Sequence, residues 1–221
     1  RKLFARLINC NEPDRIALIP SVSYGIATVA RNIKFSKGDS IVLLDKIFPS
    51  NYYVWKNIAD AHQVDLQLIK APETAYQRGQ VWNQLVIDAI KPGTKVISLE
   101  HVYWADGTLF DLESIRKKAN EVGALVIVDG TQSVGAYPFD LNLFQVDALI
   151  AGGYKSLLGP YSLGYAYYGK AFDQGEPLEH NWMNKMGSEV FEKLLDYTEK
   201  DKPFSAKYNM GEQSQFVNVP M

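Results

Sequence analysis

Short apolar runs alternate with amphipathic helical segments along most of the chain, and this alternation constrains the fold more than any other feature. Most of the runs are apolar throughout, as in strands that are buried on both faces of a sheet. A repeated order of strand, helix and strand predicts an α/β class, with an α/β/α architecture around a mostly parallel seven-stranded sheet. The predicted strands cover residues 16–19, 40–44, 64–69, 96–99, 124–128, 148–150 and 164–168.

Helical spacing of apolar side chains predicts four helices between these strands, over residues 24–33, 51–62, 80–90 and 111–122. The last of them has an acidic first turn and is followed by Gly123, a residue type that commonly ends helices. A further helix is expected at 188–197. The strand rhythm stops after Gly169, so a domain boundary is expected near residue 170.

Charge and composition exclude several classes of function. The 221 residues include 23 basic and 25 acidic side chains, which give a net charge of −2. Such a chain has no excess of positive charge that would attract nucleic acid or an anionic membrane surface. No segment approaches the roughly 20 apolar residues that span a bilayer. We therefore expect the partner to be a small molecule or another protein.

The chain has one cysteine, Cys10, which excludes an internal disulfide and a cysteine-based zinc site. A reducing, cytoplasmic location is therefore expected. His101 has no second histidine or cysteine at a metal-ligand spacing, and no metal site is expected. The chain begins without a methionine, and we expect it to be a piece of a longer protein.

Polar side chains follow several of the predicted strands at their carboxyl ends. Asp129 follows the fifth strand, Lys155 follows the sixth, and a hydroxyl-rich helix start at 20–23 follows the first. Glu100 and His101 follow the fourth. Ligands of doubly wound sheets bind at this edge, so the sequence predicts a site there.

Each of these residues also has a purely structural interpretation. An aspartate after a strand is a common turn residue, and residues 20–23 are suited to capping a helix. Lys155 could be solvated and His101 could be a core histidine. Packing is the ordinary role of the aromatic residues near these strand ends, Tyr52, Tyr53, Trp55, Tyr103 and Trp104.

The residues from 128 to 160 carry a family resemblance. The run Val128-Asp129-Gly130-Thr131-Gln132-Ser133-Val134-Gly135, then Asp147, Gly153-Tyr154-Lys155 and Gly159-Pro160, resembles the class V aminotransferase family. This family contains fold-type-I pyridoxal-phosphate (PLP) enzymes, among them cysteine desulfurases, selenocysteine lyases, isopenicillin N epimerase-like proteins and kynureninases. The resemblance implies that residues 1–221 form the PLP-binding large domain, without the family's N-terminal arm and C-terminal small domain.

The resemblance implies a role for each matching residue. Lys155 would be the Schiff-base lysine that also moves the substrate Cα proton. Asp129 would keep the pyridine nitrogen protonated, and Gln132 would contact the ring's phenolic oxygen.

Cofactor contacts from other segments are implied as well. Val22, Ser23 and Tyr154 would bind the phosphate, and Phe48 would stack on the ring, with Tyr52 as its rival. Because the family's active sites lie at a dimer interface, a homodimer is expected.

The chain departs from the desulfurase branch at several positions. Gly152 replaces a serine, Trp104 replaces an asparagine, and Glu212 replaces a threonine that reaches the neighbouring subunit's phosphate, a contact that Ser214 could restore. The desulfurase nucleophilic cysteine would lie beyond Met221. The segments 19–27 and 153–161 look closer to the epimerase-like members.

The resemblance therefore implies a PLP-dependent enzyme that acts on an amino acid or a related amine. The alternative reaction class is a cysteine desulfurase or selenocysteine lyase-like C–S or C–Se lyase. A non-catalytic scaffold and a nucleotide-binding domain are rivals from other classes. The nucleotide-binding class would require a Gly-x-Gly-x-x-Gly turn after the first strand, and residues 16–23 lack it.

Overall fold

The computed structural model describes residues 1–212, and its centre is one seven-stranded sheet. The strands lie in the order β1-β7-β6-β5-β4-β2-β3. They are β1 Ile16–Ile19, β2 Ser40–Leu44, β3 Asp65–Ile69, β4 Thr94–Glu100, β5 Leu125–Asp129, β6 Ala148–Gly152 and β7 Gly164–Tyr168. All seven predicted strands are thus confirmed, with ends that shift by at most two residues.

The four helices predicted between the strands are present, and two short ones precede and follow them. The helices are α1 Lys2–Leu7, α2 Val22–Arg31, α3 Pro49–His62, α4 Arg78–Ala89, α5 Leu112–Val122 and α6 Leu141–Phe144. Helix α2 begins two residues earlier than predicted, because the Ser21 side chain caps it by accepting a hydrogen bond from the Tyr24 amide at 3.1 Å.

The sheet is mostly parallel, as predicted, and β7 is the exception. It pairs antiparallel with both β6 and β1, whereas the other neighbouring strands are parallel. A parallel return would need a crossover of a dozen or more residues, usually through a helix. The connection at 153–163 contains turns in place of a helix, and it carries Lys155.

Two hydrophobic cores cover the two faces of the sheet. On one face, α2 and α3 contribute Ile26, Val29 and Trp55, all fully buried. On the other face, α4 and α5 contribute residues such as Trp82 and Ile115. Helices on both faces make the three-layered α/β/α architecture that strands buried on both sides require.

The helix predicted at 188–197 is wrong. This segment has only a single 3₁₀ turn at Phe191–Lys193. Its large side chains Phe191, Leu195 and Tyr197 are 74%, 80% and 87% exposed. A helix of ten residues needs a packed apolar face to be stable in water, and these side chains do not provide one.

The segment after β7 returns to the sheet and covers its β1 edge. The Met210 amide donates to the Leu18 carbonyl at 2.9 Å, and the Leu18 amide donates to Asn209 Oδ1 at the same distance. Tyr208 is buried against the Tyr168 ring, with centroids 4.9 Å apart. An edge strand whose polar backbone is paired in this way is protected from pairing with another chain.

Among residues 1–212, no helix is both long enough and apolar enough to cross a lipid bilayer.

Candidate active site

A cavity of about 320 Å³ opens at the carboxyl ends of the central strands, a size typical of small-molecule sites. Its walls come from the last residue of β4 and from the ends of, or segments after, β1, β2, β5 and β6. The seven residues singled out in the sequence all line it: Val22, Ser23, Phe48, Asp129, Gln132, Tyr154 and Lys155. Parallel strands bring their carboxyl ends to one edge, and this is why residues from distant segments meet there.

Asp129 ends β5 and is held in one orientation. Its Oδ1 accepts a hydrogen bond from the Thr131 amide at 2.9 Å, and its Oδ2 accepts one from Asn51 Nδ2 at 2.9 Å. The carboxylate is 5% exposed and Asn51 is fully buried. The cavity therefore contains a carboxyl group in a fixed orientation, whose oxygens accept hydrogen bonds from N–H groups.

Asn51 and Glu100 are site residues whose roles sequence reasoning missed. Asn51 was identified only as the start of a predicted helix, and Glu100 only as a polar residue at a strand end. Asn51 lies in the first turn of α3, the helix that follows β2, so the polar pair Ser50-Asn51 at this helix start was the available signal.

Two glycines determine the backbone path to Lys155. A Cβ on Gly153 would lie 2.6 Å from the Leu163 carbonyl oxygen, so the two segments approach as closely as they do only because this residue is glycine. A Cβ on Gly152 would lie 2.9 Å from Cε1 of Tyr154. With the Tyr154 ring in this position, a side chain at residue 152 would clash with it. This explains why glycine stands here, where the desulfurase branch has a serine.

Tyr154 lies beside Lys155 and stacks on Tyr161. Their ring centroids are 4.4 Å apart with an interplanar angle of 14°. Burial, with a further contribution from the negative charge of Asp129, raises the pKa of Tyr154. The hydroxyl therefore stays a neutral donor throughout the physiological range.

The N-terminus of α2 faces the cavity through residues 21–23. The first amides of an α-helix have no carbonyl partner within the helix, and its dipole favours an anion there. Val22 and Ser23 supply the first two amides of α2, and the Ser21 and Ser23 hydroxyls lie 2.9 Å apart. Capping by Ser21 and anion binding by the following residues are compatible, so both interpretations of 20–23 stand together.

Phe48 and Tyr52 occupy different environments. Phe48 precedes α3 and lines the cavity. Tyr52 is half-buried against the hydrophobic core and packs its ring edge on Tyr53, with centroids 5.5 Å apart. Of the two, Phe48 is in position to contact a ligand in this cavity.

Glu100 and His101, adjacent on the chain, point to opposite environments. Glu100 lines the cavity and is 2% exposed. Burial, with the charge of Asp129 next, raises the pKa of Glu100 to about 8. His101 packs among Tyr137, Phe139 and Phe144, and burial lowers its pKa to about 4. The structural interpretation of His101 therefore fits this geometry.

The predicted contact to a neighbouring subunit falls at the end of the described chain. Glu212 is exposed. Ser214 lies outside the described residues. Within residues 1–212, no group of three or more histidine, cysteine, aspartate or glutamate side chains is arranged to hold a metal ion.

Comparison with known proteins places this geometry in a family. The family model for Aminotransferase class-V matches residues 1–211. A probable cysteine desulfurase from Methanothermobacter thermautotrophicus is 32% identical over 167 residues, which are 76% of this chain and 40% of that protein. Isopenicillin N epimerase from Streptomyces clavuligerus is 25% identical over 82% of this chain and 46% of its own length.

A solved structure shares the fold. The C-DES protein, in a mutant form with glycine covalently linked to its PLP cofactor, superposes with a TM-score of 0.79 at 20% identity. The match covers 94% of this chain and 53% of that one. The chain thus spans about half the length, or less, of each of these three proteins.

Proposed function

This chain belongs to the aminotransferase class-V family, and we propose that it forms the cofactor domain of a PLP-dependent enzyme acting on an amino acid or a related amine. One observation supports this most strongly: Lys155, Asp129 and the N-terminus of α2 line a single cavity. An amine, a carboxylate and an anion site are the three groups that a phosphorylated pyridine aldehyde requires.

The residues present fit the cofactor chemically. Asn51 and the Thr131 amide hold the Asp129 carboxylate, which suits a protonated ring nitrogen. The α2 amides and the nearby serine hydroxyls suit a phosphate, and the Tyr154 hydroxyl adds a donor. Phe48 provides an aromatic surface for a planar ring. When bound, pyridoxal phosphate would supply an electron sink for negative charge at the substrate Cα.

Each residue then has a defined task. Lys155 would hold the cofactor covalently, and its Nζ would afterwards accept and return the substrate Cα proton. Asp129 would keep a proton on the ring nitrogen. Gln132 would donate to the ring's phenolic oxygen, and Val22 with Ser23 would hold the phosphate by their amides.

A C–S lyase reaction is the second candidate. It is supported by the 32% identity to a probable cysteine desulfurase. Release of sulfide from cysteine would support a lyase, transfer of the amino group to a keto acid would support a transaminase, and inversion at the substrate Cα would support an epimerase.

The proposal is tested by borohydride reduction of the protein with pyridoxal phosphate, followed by mass spectrometry. We expect one cofactor per chain, attached at Lys155. Lys155→Ala should lose the adduct and the visible absorption band, whereas Lys170→Ala, which removes an exposed lysine, should keep both. An adduct spread over surface lysines, or an unchanged spectrum in Lys155→Ala, would contradict the assignment.

We also infer that the whole protein is a homodimer. The loop after Lys155 exposes two large apolar side chains beside the cavity: Leu158 is 91% and Tyr161 76% exposed. Clustered exposed apolar residues are typical of protein interfaces. Sedimentation of the full-length protein at several concentrations would test this, and a monomer at all of them would contradict it.

A further inference from the structure

The turn that carries Phe48 has a strained backbone. It spans residues 45–48 between β2 and α3, and Lys46 adopts a φ of +56°. A residue other than glycine seldom adopts this left-handed backbone conformation, and surrounding contacts must hold it there. The position of Phe48 at the cavity therefore depends on what stabilises this turn.

The segment after β4 provides those contacts. The Tyr103 hydroxyl lies 3.0 Å from the Lys46 carbonyl oxygen and 3.3 Å from that of Asp45. Trp104 Nε1 donates to the same Lys46 carbonyl at 2.9 Å. The Trp104 ring also packs edge-on against Phe48, with centroids 5.7 Å apart and an angle of 81°. The strained residue is thus held from one side by two aromatic donors.

The buried carboxyl group of Glu100 contacts both the turn after β2 and the turn after β4. Its Oε1 accepts a hydrogen bond from the Phe48 amide at 3.3 Å, and its Oε2 accepts one from the Trp104 amide at 3.1 Å. Because the carboxyl is buried, the two amides have little access to water, and losing their acceptor would leave them unsatisfied.

The charged and titratable groups around Glu100 come from three segments. Asp129 is its cross-strand neighbour on β5, Lys155 follows β6, and Tyr103 lies on its own segment, where it is also near Asp45. Asp129 disfavours a second negative charge, whereas Lys155 favours it. The raised pKa means that Glu100 is mostly protonated at neutral pH, and it then adds little charge beside Asp129.

We propose that Glu100 is a positioning residue of the cofactor site, whose buried carboxyl joins the turn after β2 to the turn after β4 and so holds Phe48 at the cavity. Trp104, where the desulfurase branch has an asparagine, is its partner in this role. The inference rests on the proposed function only in naming the cofactor as the ligand that Phe48 contacts. The connection between the two turns does not depend on which ligand binds.

The test compares Glu100→Ala and Glu100→Gln with the wild type and with Glu113→Ala, which removes an exposed carboxylate. Hydrogen exchange of residues 45–48 is measured without cofactor, and the dissociation constant for pyridoxal phosphate is measured by absorbance. In Glu100→Ala we expect about ten-fold faster exchange of the Phe48 amide and about ten-fold weaker cofactor binding. The glutamine keeps one good acceptor and should show a smaller change, and Glu113→Ala should match the wild type.

Unchanged exchange at Phe48 in a folded Glu100→Ala protein would overturn the inference. If that variant does not fold, Glu100→Gln and Trp104→Phe decide instead, since both should still speed exchange in residues 45–48. A wild type that forms no adduct at Lys155 would contradict the proposed function alone, because the exchange measurements need no cofactor.

Discussion

At the scale of single residues, the site depends on buried polar groups whose partners come from distant segments. Asp129 is oriented by Asn51, 78 positions away in the chain. Glu100 and Asp129 are cross-strand neighbours in the parallel pair of β4 and β5. Two carboxyl groups this close in a buried setting do not both ionise at neutral pH without cost.

The Glu100 carboxyl should make stability depend on pH. Its pKa is raised from 4.5 to about 8 in the folded protein, so between these values the folded state binds more protons than the unfolded one. The contribution is complete below about 4.5, and it is lost as the pH rises through about 8. Urea denaturation at pH 5 to 9 should therefore show a fall in stability that Glu100→Gln lacks and Glu113→Gln keeps. Identical slopes in all three proteins would refute the assignment.

The Asn51 amide should contribute measurably to stability. Asn51→Ala removes a buried hydrogen bond to a carboxylate, and we expect a loss of about 1.5–3 kcal/mol. Asn57→Ala, on the exposed side of the same helix, is the matched control and should change stability by less than about 0.5 kcal/mol. Equal effects of the two substitutions in thermal unfolding would show that the Asn51–Asp129 bond contributes nothing.

At the scale of elements, helix α2 lies unusually close to the sheet. Gly25 faces β1 and β6, where a Cβ would lie 2.8 Å from Cγ2 of Ile150 and 2.9 Å from Cδ1 of Ile19. The absence of a side chain lets α2 pack directly on the strands. This close packing determines where the N-terminus of α2 meets the cavity.

Gly25→Ala should destabilise the protein although alanine favours helices. The added methyl would push α2 from the sheet at a cost of about 1–3 kcal/mol. Gly79→Ala in α4 is the matched control: its nearest neighbour would be 3.5 Å away, and we expect a gain of up to about 1 kcal/mol. Denaturant unfolding of both variants measures this, and a stabilised Gly25→Ala would contradict the packing argument.

At the scale of the whole molecule, the segment after residue 170 is attached to the sheet by several buried contacts. Arg15 is 4% exposed and pairs with Asp173 at 2.7 Å. The Leu18 amide of β1 donates to Asn209 Oδ1 at 2.9 Å, and the Tyr208 ring packs against Tyr168 of β7 with centroids 4.9 Å apart. These contacts bind the segment to β1 and β7, so a domain boundary near residue 170 would cross a packed interface.

Tyr208 should therefore matter for the stability of the entire chain. Tyr208→Ala removes a large buried ring, and we expect a loss of about 3–5 kcal/mol in a single unfolding transition. Tyr197→Ala removes a ring that is 87% exposed, and it should change stability by less than about 0.5 kcal/mol. A separate early transition in Tyr208→Ala would indicate that the segment folds as its own unit.

Much of the candidate site could be predicted from the sequence because its members sit at strand ends. Asp129, Lys155 and residues 22–23 directly follow apolar runs, and a parallel sheet brings such positions to one edge. Strand-end positions say nothing about whether residues 188–197 form a helix, because a short helix is stable only when it packs against another surface. Asn51 and Glu100 were missed in their roles because their partners are 78 and 52 positions away in the chain.

Hydrophobic periodicity and strand-end residues are local properties, and they were enough to predict the class of fold, the order of strands along the chain and the chemistry available at one edge of the sheet. The folded molecule was needed to show the spatial order of the strands, the antiparallel direction of β7 and the pairing of Glu100 with the turn that carries Phe48. Those features depend on long-range packing and on buried hydrogen bonds between distant segments, whose free energy no short window of sequence contains.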